Sequence, residues 1–155
     1  ELTERLPVDV RFIEEMPFNG GDHAVSAPYW DQYRILEKLR ERWPELEKTQ
    51  DPLSSTAFNY RQPGHLGKIG IIAAWTRSFC GTCNRIRITP QGVLKTCLYD
   101  HGVLNLRDEM RSGKDDEALV ALLLESFGQR HKNGWEAAAA SAALGITESM
   151  AMIGG

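Results

Sequence analysis

The chain has 155 residues, 42% hydrophobic and 25% charged, with 18 Lys and Arg against 21 Asp and Glu and a formal net charge of −3. That length sets an expectation of one domain able to bury a core, and the slight acidic balance excludes a general nucleic-acid binder. No apolar run approaches the roughly 18 residues of a membrane span, no signal-peptide pattern is visible, and thiols in the reduced state make the cytoplasm the expected compartment.

Taken in order, Glu1 to Leu6 is charged and ends a helix at Pro7. Val8 to Met16 is a strand with Val8, Val10, Phe12 and Glu14 on one face. A parallel strand needs neighbours, so its partners are expected outside this sequence. Pro17 to Pro28 is a loop around Asn19-Gly20-Gly21-Asp22. Pro28 to Trp43 is an amphipathic helix, with Tyr29, Tyr33, Leu36 and Leu39 inward, Ser26 as cap and Pro44 as stop. Glu45 to Ser55 is a polar connector. Thr56 to Arg61 and Lys68 to Thr76 are strands on either side of a Pro63-Gly64 turn. With the cysteine hairpin described below they are expected to make one antiparallel sheet of about four strands.

Beyond the cysteines, Asp100-His101-Gly102 is a turn and Val103 to Leu106 a short strand, with Asn105 or Asp108 capping a brief helix. Asp115 to His131 is a helix with Leu119, Leu122, Leu123, Ser126 and Phe127 inward. Acids fill its first turn and cations its last, and Asn133-Gly134 stops it. Trp135 to Leu144 is alanine-rich, a helix or a mobile loop. Ser149 to Gly155 has no periodicity and ends Gly154-Gly155.

All three cysteines lie between Phe79 and Leu98. Cys80 and Cys83 are spaced Cys-x-x-Cys, and Cys97 follows after thirteen intervening residues. Those residues read as a hairpin turning at Pro90-Gln91-Gly92. A turn centred on Pro90 pairs Cys83 with Cys97, Arg85 with Lys95 and Arg87 with Val93. Cys83, Arg85, Arg87, Lys95 and Cys97 then share one face, and Ile86, Ile88, Leu94 and Leu98 the other. Gly81 lets the Cys-x-x-Cys loop curl. Three gathered thiolates suit a [4Fe–4S] cluster with one iron open. They equally suit zinc with His65 or His101 as fourth ligand, and a disulfide leaves one thiol over. Trp75 and Phe79 would shield such a site from water.

Cys80-x-x-Cys83-Asn84-Arg85-x-Arg87-x-Thr89, Gly92 and Cys97-Leu98 resemble the C-terminal cluster signature of the MoaA family, the radical S-adenosylmethionine (SAM) GTP 3′,8-cyclases of molybdenum cofactor biosynthesis. Val10-Arg11-Phe12-Ile13-Glu14-x-Met16-Pro17 resembles that family's last barrel strand. Tyr60-Arg61-x-Pro63-Gly64 with Gly67-x-Ile69-Gly70-x-Ile72 resembles the run before its cysteines, and Met150-x-Met152-Ile153-Gly154-Gly155 its tail. The family's N-terminal Cys-x-x-x-Cys-x-x-Cys, which binds a second cluster and SAM, is not in these residues, so the chain looks like the C-terminal half.

The resemblance implies an α/β fold: one strand of an incomplete TIM-type barrel in residues 1–20, then a small antiparallel sheet with flanking helices in 21–155. It implies a lyase that converts GTP to (8S)-3′,8-cyclo-7,8-dihydroguanosine 5′-triphosphate. Cys80, Cys83 and Cys97 would hold a [4Fe–4S] cluster whose open iron meets the purine. Arg85 and Arg87 would bind GTP, Met16 would contact SAM, and Gly154-Gly155 would reach the active site. Arg11 and Arg77 are weaker candidates. The implied partners are the N-terminal half, a downstream pterin synthase and a second copy in a dimer. This part alone is expected to be inactive. The alternative is a zinc-stabilised Cys3His binding module without catalysis.

Overall fold

A computed structural model describes residues 1–16, 30–76 and 80–145. These fall into two compact units, one with 1–16, 30–76 and 80–83, the other with 84–145.

The first unit is built on a four-stranded mixed sheet. A short helix α1 (Leu2–Arg5) leads into β1 (Asp9–Ile13), followed by helix α2 (Gln32–Arg42) and strands β2 (Glu47–Lys48), β3 (Ala57–Arg61) and β4 (Lys68–Ile72). Strand order is β1-β4-β3-β2. β1 runs parallel to β4, with Val10 opposite Ile69 and Phe12 opposite Ile71; the other pairings are antiparallel. β1 therefore finds a neighbour within the chain, where the sequence placed its partners outside it. That one parallel pair is the extent of barrel-like pairing among the described residues.

Ile35 and Leu39 of α2 pack with Leu46, Tyr60, Ile69 and Ile71 to form the core, flanked by Leu36, Trp43 and Phe58. The inward stripe of α2 is thus Ile35–Leu39, and Tyr33, expected inside, is 70% exposed. Asp31 caps the helix, its Oδ1 accepting the Arg34 N–H at 2.8 Å; Ser26 lies outside the described residues. Glu45 to Ser55 is not a plain connector: it holds β2 and buries Leu46. Asp51 stands there as an anchor, accepting from Asn59 N and Nδ2 at 2.9 Å and from Lys48 Nζ. Gly67 runs so close to Val8, the residue before β1, that a Cβ would overlap the Val8 carbonyl.

The second unit carries a three-stranded antiparallel sheet, β5 (Arg87–Ile88), β6 (Val93–Lys95) and β7 (Leu104–Asn105), in that order. The cysteine hairpin therefore does not extend the sheet of β3 and β4 but pairs with β7. Three helices follow, α3 (Leu106–Arg111), α4 (Asp116–Gly128) and α5 (Gly134–Ala143). Asn105 caps α3, and Asp115 caps α4 by accepting the Ala118 N–H at 2.9 Å. α4 ends at Gly128, ahead of the cations expected in its last turn. Asn133, read as a stop signal, instead starts α5: its Oδ1 accepts from Trp135 N and Glu136 N at 2.9 and 3.0 Å. An Asx side chain satisfies the orphan N–H groups of a first turn, so one dipeptide serves equally to end a helix or to begin the next. The alanine-rich run is helix, buried at Ala137 and Ser141. No helix of the described residues is long and apolar enough to cross a membrane.

Candidate functional site

In the first unit Cys80–Thr82 forms a single 3-10 turn, and the Cys83 N–H donates to the Cys80 carbonyl at 3.3 Å. This short loop keeps both half-buried thiols of the Cys-x-x-Cys pair on one turn. Gly81 does not create the curl. Its φ is not positive, and a Cβ there would meet nothing within 4 Å.

The end of β1 is fastened by Glu14, which is only 1% exposed. Its Oε1 accepts the Gln32 N–H at 2.6 Å, and its Oε2 accepts the Thr76 N–H at 2.7 Å. The Thr76 hydroxyl lies 3.1 and 3.2 Å from the two carboxylate oxygens and accepts from Gln32 Nε2 at 3.1 Å. A buried carboxylate is tolerable when its lone pairs are filled in this way. One side chain thus ties the end of the parallel strand to the start of α2 and to the segment before Cys80. Met16, two residues on, is half-buried. Trp75 is half-buried, and Arg77 and Phe79 lie outside the described residues. Among the described residues Arg11 makes a 3.9 Å exposed pair with Asp9.

In the second unit the ribbon turns at Thr89 to Gly92. Gly92 N–H donates to the Thr89 carbonyl at 2.8 Å and Thr89 N–H to the Val93 carbonyl at 2.9 Å. Gly92 has φ +84, and a Cβ would collide with Arg107. This three-residue loop, a tight turn followed by a left-handed glycine, shifts the register by two residues from the sequence expectation. Arg87 faces Lys95, and Ile88 faces Leu94. A one-residue slip would have inverted every side chain; a two-residue slip preserves the faces. Arg87 and Lys95 therefore still share a side, but strand geometry ends at Arg87 and does not extend back to Arg85 or Cys83. Lys95 is buried to 1% exposure, Arg87 is half-buried and Arg85 exposed. Among the described residues no hydrogen bond or ion pair engages the guanidinium of Arg85 or Arg87.

Cys97 begins a loop closed by Asp100, whose buried carboxylate accepts the Cys97 N–H at 2.7 Å. His101, the residue after Asp100, is half-buried, and its Nδ1 has no hydrogen-bond partner among the described residues. His65, the other histidine candidate, belongs to the first unit. Its Nδ1 pairs with Thr3 Oγ1 at 3.0 Å, and its ring meets Trp43 edge-on at 5.8 Å.

The boundary between the units runs between Cys83 and Asn84, so Cys80 and Cys83 belong to one and Cys97 to the other. Among the described residues no group of three His, Cys, Asp or Glu side chains is assembled that could hold a metal ion. The donor chemistry itself is that of iron–sulfur ligands: three half-buried cysteines outside any disulfide, two of them on one turn. Gly154 and Gly155 lie outside the described residues. Sequence reasoning missed Asp100 and the full engagement of Glu14. A carboxylate interrupting an apolar alternation was the signal for Glu14; Asp100 showed only as a turn residue.

Residues 8–135 match the family described as Molybdenum Cofactor Synthesis C. The chain is 42% identical over 131 residues to a Bos taurus protein named molybdenum cofactor biosynthesis protein 1, covering 84% of this chain and 20% of that protein. It is 40% identical over 125 residues to a mitochondrial GTP 3′,8-cyclase of Arabidopsis thaliana, covering 79% of this chain and 31% of that one. Against a GTP 3′,8-cyclase of Chlorobaculum tepidum the identity is 34% over 157 residues, covering 100% of this chain and 46% of the relative. The chain thus spans less than half the length of each of these relatives.

Proposed function

The chain belongs to the Molybdenum Cofactor Synthesis C family, and from that premise we propose that it is the C-terminal, cluster- and GTP-binding part of a cytoplasmic GTP 3′,8-cyclase. Cys80, Cys83 and Cys97 hold a [4Fe–4S] cluster, and Arg85 and Arg87 receive GTP. The observation that carries this reading is the alignment of the whole chain, cysteine ribbon included, with a relative named GTP 3′,8-cyclase. When bound, a cluster with three thiolate ligands supplies an open, Lewis-acidic iron for a donor atom of the purine.

The chain's own residues do the rest of the binding. The planar forks of Arg85 and Arg87 suit phosphate and carbonyl oxygens, and among the described residues neither guanidinium is engaged by a protein partner. Met16, at the exit of β1, contacts SAM. The Gly154-Gly155 tail reaches the substrate where a side chain would clash. Radical generation belongs to a part of the protein that carries Cys-x-x-x-Cys-x-x-Cys, which these 155 residues lack. As a separate polypeptide they bind GTP without turning it over.

The orphaned, buried Nδ1 of His101 favours a second reading, a zinc site completed by that nitrogen. Anaerobic iron, sulfide and zinc analysis of the reconstituted chain decides between them. About four irons per chain support the cluster; stoichiometric zinc that resists replacement by iron and sulfide overturns it.

A further inference from the structure

Asp100 is 1% exposed, yet it is a formal charge inside the second unit. Its Oδ2 accepts from the Thr96 N–H and the Thr96 hydroxyl at 2.9 Å each, and from the Cys97 N–H at 2.7 Å. Its Oδ1 accepts the Gly102 N–H at 2.9 Å. The loop is closed further by Asp100 N–H to the Cys97 carbonyl at 3.3 Å and Val103 N–H to the Leu94 carbonyl at 2.8 Å. One carboxylate therefore meets four donors, and charge-assisted bonds of this kind are about twice as strong as neutral ones.

Resting on the cluster reading above, we propose that Asp100 is the positioning residue of the Cys97 ligand. It fixes the Cys97 backbone before any metal arrives, and it places a carboxylate beside whatever Cys97 holds. The argument follows from the donor inventory. The N–H groups of Thr96 and Cys97 are both committed to the carboxylate and cannot donate to a sulfur. Hydrogen bonds to sulfur and nearby charge are two of the means by which a protein sets a cluster's reduction potential. Withholding the donors and adding negative charge act in the same direction: both make the cluster harder to reduce.

The test uses the 155-residue chain with Asp100→Asn, which keeps the shape, removes the charge and turns one acceptor into a donor facing the Gly102 N–H. The first readout needs no metal. By NMR, the Cys97 amide of the metal-free chain exchanges with solvent at least tenfold faster in the variant. The second follows anaerobic reconstitution. At a fixed applied potential the ratio of reduced to oxidised cluster rises at least tenfold, about 59 mV for a one-electron couple. Asp100→Ala gives the larger change in exchange; should it fail to fold, Asp100→Asn decides alone. An unmoved exchange rate in Asp100→Asn, or an unmoved potential in a variant that takes up the cluster, overturns the proposal. Failure of the parent chain to take up iron and sulfide removes the cluster reading instead, and the exchange comparison still decides whether Asp100 fixes Cys97.

Discussion

Glu14 and Thr76 are 62 residues apart in the chain, yet the Glu14 carboxylate accepts both the backbone N–H and the hydroxyl of Thr76, the former at 2.7 Å. The same carboxylate accepts the Gln32 N–H. Removing it takes the carboxylate acceptor away from two half-buried backbone donors. Glu14→Ala is expected to destabilise the chain by about 3 kcal/mol, read as a lower urea midpoint with an unchanged slope. Glu14→Gln is expected to recover only part of the loss, because its amide group faces one of the donors. A midpoint in Glu14→Ala equal to that of the parent would remove the role assigned here.

Two glycines of the first unit make opposite predictions. Gly67→Ala drives a methyl group into the Val8 carbonyl, at the point where Lys68 N–H bonds that same oxygen at 3.3 Å. Backbone cannot give way as a flexible side chain can, so a cost of about 3 kcal/mol is expected. Gly81→Ala meets open space and is expected to shift stability by less than about 0.5 kcal/mol. Thermal melts of the two variants side by side check the contrast, and a large loss at Gly81 would show that the Cys80–Cys83 turn does need a glycine.

Arg85→Ala and Arg87→Ala test the nucleotide side. Each removes one guanidinium that no described residue engages, so stability should hardly change while GTP affinity falls about tenfold, or 1.4 kcal/mol. Calorimetric titration of GTP into the reconstituted chain measures it. Binding that is unaltered in both variants would sink the assignment.

Asp51 provides a pH signature in the first unit. Partial burial by itself would raise its carboxyl, but hydrogen bonds from Lys48 and Asn59, with the Lys48 charge, outweigh that and hold it below the usual range. A carboxylate depressed on folding adds stability that is present above its unfolded value, about 4, and that is lost as pH falls through the lower folded value. The stability gap between the parent and Asp51→Ala should therefore be widest near neutrality and narrow below pH about 4. Urea titrations at pH 7 and pH 3 provide the comparison. A gap that does not depend on pH would mean that Asp51 acts through shape rather than charge.

How far the fold could be read in advance depended on whether a residue's signal was local. The strands at β1, β3 and β4, the helix at α4 and the turn at Gly92 follow from period and turn chemistry, and each is present. Which strand lies beside which is a non-local choice, so the β1–β4 pairing and the separation of the cysteine ribbon from β3 and β4 escaped notice. The ribbon's register turned on one residue. A left-handed Gly92 moves the centre of the turn, and no alternation of polar and apolar residues reports that. At the site, the cysteines and arginines stood out by type and spacing. Asp100 did not, because an aspartate before a glycine reads as an ordinary turn, and only the fold brings Thr96, Cys97 and Gly102 around its oxygens.

Among the described residues β1 is bonded on one side only, to β4, and Phe12 and Ile13 on it are 39% and 54% exposed. An open strand margin with greasy side chains templates the addition of further strands. Handling the isolated polypeptide is therefore a colloidal problem as much as a redox one: at high concentration it should self-associate through this seam, and a lysine introduced at Ile13 is the conservative way to keep it dispersed for spectroscopy.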